Sequence, residues 1–305
     1  MRRFLSRITG PGAFRPLVLI ALGAVYLNVV SGALVRVTGS GLGCPDWPLC
    51  NGKATPPFHF HGLIEFSNRV LALAVIIAAI LLAVSAWRAG MRRTHRWRFR
   101  AALAIGIGTF LQAPLGGITV LVDLHPLAVM SHFLLALVVL LVAVALALDE
   151  FQLATAWPTA PARWVPIGGV VIGAWAWLVI ITGAIVTMSG THPGSEGVPR
   201  LWNLLDAAYV HVRVAASFTI VIAIFLLVLA FAVKPPPVVR RMAWLLVAVV
   251  GLQIVVGELQ WRTQLPWWLV LIHVSRDALA ARMRPRHRHD RARDDHEPRP
   301  RADHH

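Results

Sequence analysis

Charge is scarce in this chain. Only 14% of its 305 residues are Asp, Glu, Lys or Arg, against 57% hydrophobic residues and a mean hydropathy of +0.67. That is more apolar surface than a soluble domain can hide, which excludes a soluble fold and leaves an integral membrane protein. Cysteine is scarcer still, with Cys44 and Cys50 alone. The first apolar stretch is followed by no A-x-A-like cleavage site, so it is expected to stay as a helix and not to leave as a signal peptide.

What is present is a series of apolar runs. A helix needs about 20 residues to cross a hydrocarbon core of ~30 Å, and runs of that length begin near Leu17, Leu63, Ala101, Leu127, Val165, Ala207 and Met242. An eighth begins at Trp267 but turns polar after Ser275, too short to span. The fold class expected is therefore all-α integral membrane, with eight helices of which the last is truncated or disrupted.

Basic residues are missing from half of the connecting loops. Arg2, Arg3 and Arg7 precede the first run, Arg88, Arg92, Arg93, Arg96, Arg98 and Arg100 separate the second from the third, and Lys234, Arg240 and Arg241 separate the sixth from the seventh. Short basic loops stay on the cytoplasmic side, which predicts a cytoplasmic N-terminus and a multi-pass protein of the cell membrane. This asymmetry accounts for much of the +15 net charge, and a nucleic-acid partner is not expected. Trp47, Trp202, Trp261, Trp267, Trp268, Trp87 and Trp97 fall near span ends, as an interfacial belt does.

The chain repeats itself. GALVRVTGSG at 32–41 matches GAIVTMSGTH at 183–192, LQAPLGG from Leu111 matches LQIVVGE from Leu252, and the latter offset of 141 residues carries His132 onto His273. An even number of helices separates equivalent positions, so two pseudo-symmetric four-helix halves point the same way across the membrane. The boundaries read as 1–148 for the first half, 149–164 for a cytoplasmic linker, 165–275 for the second half and 276–305 for an Arg/His/Asp-rich disordered tail.

Polar side chains inside a membrane are costly and mark function. His61, His132, His211 and His273 stand on four different helices near the outer face, a distribution suited to axial ligation of a flat cofactor between helices. Hydrogen bonding across the bundle is the plainer use of the same imidazoles. In HGLIEFSNRVLA, residues His61, Glu65 and Asn68 share one helical stripe. A carboxyl group one turn inside the membrane suits proton handling beside a reactive group, or else a structural pair with Arg69 at i+4. Arg36 and Arg213, near the outer interface, suit anchoring of propionates or headgroups, or simple snorkelling. The two cysteines, with five residues between them in an outer loop, can close a short disulfide. Zinc would need more ligands; His59 and His61 are near, but the spacing matches no usual zinc pattern. Neither thiol lies in a C-x-x-C-H run, so covalent haem attachment is excluded.

GALVRVTGSGLGCPDWPLCNG, IEFSNRVLA, LQAPLGG and HPLAVMSHFLLA resemble the haem A synthase family, over residues 15 to about 275. The resemblance implies a membrane oxidoreductase of cytochrome oxidase assembly, acting on a CH or CH2 group, that converts haem O to haem A by hydroxylating a ring methyl. It implies one half holding a haem b and the other the substrate haem O, with His132 and His273 as iron ligands together with His211 and, on span two, His61 or Asn68. Glu65 corresponds to the family's acidic residue there, and Cys44 and Cys50 to its outer-loop pair. Partners implied are a haem O synthase, assembly factors, lipid and an electron acceptor, with a homo-oligomer possible. Rival readings are a non-catalytic haem b electron-transfer protein and a transporter, the latter requiring broken helices of the kind hinted at by Pro114, Gly116 and Gly117.

Two departures stand out. The family often shows E-x-x-H on span two, where this chain has Asn68, an amide and a poor iron ligand, so either His61, two turns earlier on the same stripe, substitutes or the amino-terminal haem has one protein ligand. After Ser275 the last 30 residues hold nine Arg, six acidic residues and five His. Each Arg or Asp at mid-bilayer costs roughly 2.5 to 3.5 kcal/mol, so the tail either reaches water or prevents insertion. A change of reading frame after Ser275 explains it, a His-rich metal-binding or regulatory tail being the alternative. Sequencing the gene across codons 270–305 is expected to show an apolar continuation in another frame; its absence removes the frame-change reading.

Overall fold

The structure is a computed structural model that describes residues 9–56, 58–152, 163–232 and 235–279. Arg2, Arg3, Arg7, Lys234, residues 153–162 of the expected linker and residues 280–305 of the expected tail lie outside the described residues.

Each apolar run is a helix: α1 (Phe14–Val37), α2 (Phe60–Arg88), α3 (Arg96–Leu121), α4 (Pro126–Glu150), α5 (Trp164–Ser189), α6 (Leu204–Ala232), α7 (Pro237–Arg262) and α8 (Trp267–Leu279). No strand occurs among the described residues. Seven of the eight are long and apolar enough to cross a membrane; α8, with 13 residues, rises about 20 Å. Prolines at the first helical position start α4 and α7, where the missing N–H has no partner to lose. Pro114 lies inside α3, and the helix runs unbroken through it. The broken helix that a transporter reading requires is not found at this site.

The first four helices form a closed antiparallel bundle, α1 on α2, α2 on α3, α3 on α4 and α4 back on α1. Its apolar core fills one end and extends past the middle of α1 as far as Val29. Phe14, Val18 and Ala21 of α1 meet Leu82 and Ala86 of α2, Ala102 and Ile105 of α3, and Ala143 and Leu146 of α4, all almost fully buried. Small residues on α2 and α3 let these helices approach closely, as helices in lipid must when no hydrophobic drive brings them together. Toward the opposite end the same bundle carries Asn28, Asn68, Gln112 and His132, each with a buried polar atom that has no hydrogen-bond partner. One end is sealed and the other is polar. In the second half α5 packs along α6, α7 along α8, and α8 lies against α1, with Tyr26 Oη donating to Ser275 O at 3.3 Å.

At the sealed end Arg98 ties the start of α3 to the end of α4, through Nε to Asp149 Oδ2 at 2.8 Å and Nη1 to Glu150 Oε2 at 2.7 Å. One of the arginines that set the charge asymmetry thus also closes the bundle.

At the polar end the loop between α1 and α2 folds back over the helices. Cys44 and Cys50 form a disulfide with S–S 1.99 Å, and both residues are fully buried. The thiols are therefore not free for zinc. His59, one of the two histidines weighed for zinc, accepts a hydrogen bond at Nδ1 from Gly62 N and caps α2. Asp46 accepts from the backbone N–H of Asn51 at 2.5 Å and of Gly52 at 2.6 Å. The Gly52 N–H first, and the Asn51 N–H after it, hold this carboxyl below the ordinary carboxylate range. Trp47 lies on α3: a Cβ on Gly117 would sit 2.6 Å from the indole Cδ2, so only glycine permits the contact. The indole expected in the interfacial belt also docks the loop on α3.

Arg98→Ala is expected to lower stability in detergent by about 1 kcal/mol, as for a partly exposed charged pair, with Arg92→Ala neutral; thermal unfolding of the purified protein checks both. Because Asp46 is held low, its contribution is complete above about pH 4 and is lost as pH falls through its lowered value. Amide exchange at Asn51 and Gly52 should therefore stay slow through neutral pH and quicken only on acidification below that range, while Asp46→Asn should quicken it at all pH values.

Candidate functional site

Three of the four candidate histidines follow one construction rule. Each stands on the second helix of a hairpin and lays its ring edge against a glycine of the first. A Cβ on Gly116 of α3 would lie 3.1 Å from Cε1 of His132 on α4; on Gly183 of α5, 3.2 Å from Cε1 of His211 on α6; on Gly257 of α7, 3.5 Å from Cε1 of His273 on α8. The glycines provide room for a flat ring between two helices, closely at Gly116 and Gly183, where a Cβ would force the ring to shift by a few tenths of an ångström, and at ordinary contact distance at Gly257.

The backbone beside two of these histidines is fixed in the same way. Gln112 Nε2 donates to His132 O at 3.1 Å, and Gln253 Nε2 donates to His273 O at 3.1 Å. Both glutamines and both glycines are letters of the repeated LQ motifs, LQAPLGG and LQIVVGE. Sequence reasoning used those motifs to find the repeat and missed that their shared residues are the ones that hold the histidines.

Nδ1 of His132 and Nδ1 of His273 are buried with no hydrogen-bond partner. A buried unpaired ring nitrogen is costly, and structural histidines avoid it. His211 differs: its Nδ1 lies 3.0 Å from Thr182 Oγ1, a contact that fixes the ring's orientation as partners of ligating histidines do. His211 and His273 stand close enough to interact electrostatically. The described residues contain no cluster of three His, Cys, Asp or Glu able to hold a bare metal ion. A planar iron porphyrin needs only one or two imidazoles, and glycine-backed rings at one end of the helices fit that demand.

The fourth candidate, His61, is elsewhere. It is exposed at the start of α2, and its Nδ1 lies 2.9 Å from Ser40 Oγ in the outer loop. Two turns further on, Asn68 keeps its Oδ1 buried and unpartnered.

Glu65 is almost fully buried, at 4% exposure, and both its oxygens are engaged. Oε2 accepts from Cys44 N at 2.7 Å, and Oε1 accepts from Arg69 Nη2 at 2.5 Å. The i+4 pair weighed in the sequence is thus formed, with Arg69 as the centre of a larger network. Arg69 also donates to the carbonyls of Cys44 at 3.0 Å, Asp46 at 2.9 Å and Leu49 at 2.7 Å. A planar guanidinium can serve four acceptors in one plane, which a lysine cannot. Glu65 and Arg69 together strap the disulfide loop over the polar end of the first bundle.

The two halves meet at the same level. Arg36 Nη2 donates to Thr187 O at 3.2 Å, and its Nε is buried and unpartnered. In the 32–41 and 183–192 repeat, Arg36 and Thr187 are equivalent positions, so this contact joins the two copies of the motif. Gly41 N also donates to Gly194 O at 2.7 Å across the halves. Arg213 is exposed and lies 3.3 Å over the ring of Tyr209, a stacked cation on the surface of α6.

With this geometry in hand, likeness to known proteins gains a physical footing. The family model for "cytochrome oxidase assembly protein", COX15-CtaA, matches residues 15–280. A heme A synthase of Symbiobacterium thermophilum is 30% identical over 266 residues, 81% of this chain and 85% of that protein. A heme A synthase of Bacillus pumilus is 33% identical over 46% of each chain, and one of Caulobacter sp. strain K31 is 35% identical over 36% of this chain and 34% of its own. The chain belongs to the COX15-CtaA family of cytochrome oxidase assembly proteins.

Proposed function

We propose that the chain is a haem A synthase, a membrane oxidoreductase that converts a ring methyl of haem O to a formyl group by successive hydroxylation. The observation that carries this reading is the repeated cradle: His132 and His273, each backed by glycine, each tied through its carbonyl to a glutamine, each with an orphaned Nδ1. An electron carrier could also use such cradles. The family match and the relatives' names favour the synthase.

In this reading residues 1–148 and 165–275 are two repeats joined by a cytoplasmic linker, in a cell-membrane protein with its N-terminus inside. His132 would hold haem in the first half, His211 and His273 in the second, one being haem b and the other the substrate haem O. Bound haem supplies the iron-centred redox chemistry. The chain's residues do the rest. The glycine cradles fix where each imidazole points, so a porphyrin is gripped at one depth and in one orientation. Arg36, with its unpartnered Nε at the junction of the halves, is suited to a carboxylate such as a propionate. Glu65 and Arg69 hold the disulfide loop as a roof, which limits water at the reacting edge. Glu65, paired with Arg69, is thus cast as a positioning residue, beside the proton-handling role that its place on α2 also suits. A haem O synthase would supply the substrate, and cytochrome oxidase assembly would take the product.

Glu65→Gln keeps an acceptor for Cys44 N but loses the ion pair. Chromatography of extracted pigments is expected to find haem O or haem A in the wild type, and in the variant retained haem with haem A formation sharply reduced. Haem B alone in the wild type would favour the electron carrier, and unchanged haem A output in the variant would remove Glu65 from the reaction.

A further inference from the structure

The four hairpins of the fold invite a comparison that the sequence repeat alone does not make. In α3–α4, α5–α6 and α7–α8 a glycine on the first helix is covered by an imidazole from the second. In α1–α2 the corresponding glycine is Gly32, matched to Gly183 by GALVRV against GAIVTM. A Cβ on Gly32 would meet nothing within 4 Å. The space that His211 fills in the second half is open in the first. Nine residues into α2 stands Asn68, and eight into α6 stands His211, so Asn68 occupies the level at which the second half supplies its histidine.

An asparagine side chain ends at the δ position, whereas an imidazole carries its outer nitrogen to ε, so Asn68 stops short of where His211 would reach. Its amide oxygen is buried and unpartnered. Besides His132 and Arg36, the described side chains of this half with such orphaned atoms are amides: Asn28, Asn68 and Gln112. His61 cannot replace the missing ligand without leaving Ser40 and the surface. An amide has both a donor and an acceptor to offer a small bound molecule, and the polarity of the face opposite an axial histidine decides whether haem iron binds an external ligand or only passes electrons.

Resting on the haem reading above, we propose that the two haem sites are unlike: His211 and His273 hold one iron from both faces, while His132 alone holds the other, leaving an open sixth position beside Asn68. The ligand class this position takes is a small neutral molecule such as water or a diatomic gas. Asn68 sets its polarity by hydrogen bonding and is not itself a ligand.

Electron paramagnetic resonance of the purified, haem-loaded protein tests this, with carbon monoxide added to the dithionite-reduced form. The wild type is expected to show a low-spin and a high-spin ferric species, with carbon monoxide binding only to the latter. Asn68→His should turn the high-spin species low-spin and abolish carbon monoxide binding. Asn68→Leu, the milder change, should keep the high-spin species and shift the carbon monoxide stretching frequency. His273→Ala should remove the low-spin signal, and His61→Ala should change nothing. A wild type that is wholly low-spin and unreactive to carbon monoxide overturns the inference, as does high-spin iron persisting in Asn68→His. Haem A extracted from the same samples separates the two readings. Haem A with wholly low-spin pigment overturns the open site and leaves the synthase standing; carbon monoxide binding without haem A does the reverse. Protein that takes up no haem overturns both.

Discussion

A flat ring slipped between two helices at a glycine is the contact on which the rest of this structure depends. Removing the side chain from one helix lets the neighbouring helix bring an imidazole into the gap, and the helix spacing then fixes the ring's depth and tilt. The same device sits under His132, His211 and His273. Two of those rings keep a buried nitrogen without a partner, while the third, His211, is oriented by the hydroxyl of Thr182.

The first bundle divides along its length. Toward the arginine-rich end, alanines and leucines close it to the exclusion of any cofactor; toward the other end polar atoms go unsatisfied and a disulfide-bonded loop covers them. This gradient gives the helices two tasks. Their sealed ends supply rigidity, and that rigidity lets the polar ends carry groups whose placement must be held within a fraction of an ångström. The partly buried guanidinium of Arg69 serves four oxygens, so the loop's position is tied to α2 as well as to its own backbone.

The helices were legible because apolar runs of bilayer length have few other fates, and the histidines because polar groups in such runs stand out. The Glu65–Arg69 pair was legible as i+4 spacing. What escaped was tertiary. Gln112 and Gln253 sat inside the quoted repeats, yet nothing in one dimension says that a glutamine twenty residues away will find a histidine's carbonyl. The equivalence of Asn68 and His211 was hidden because the α1–α2 loop is longer than the α5–α6 loop, which breaks the constant offset on which repeat matching relies. That Trp47, placed near a span end by sequence, would also rest on Gly117 was likewise hidden. The short last helix was read correctly as too short to span, but its shortness does not displace His273, which keeps both its glutamine and its glycine.

That last helix leans on the first, with Tyr26 reaching the carbonyl of Ser275. The segment bearing His273 is made more than two hundred residues after the helix against which it rests. The amino-terminal bundle therefore acts as the template on which the last described helix is seated, and the placing of His273 reports on the integrity of a surface more than two hundred residues upstream.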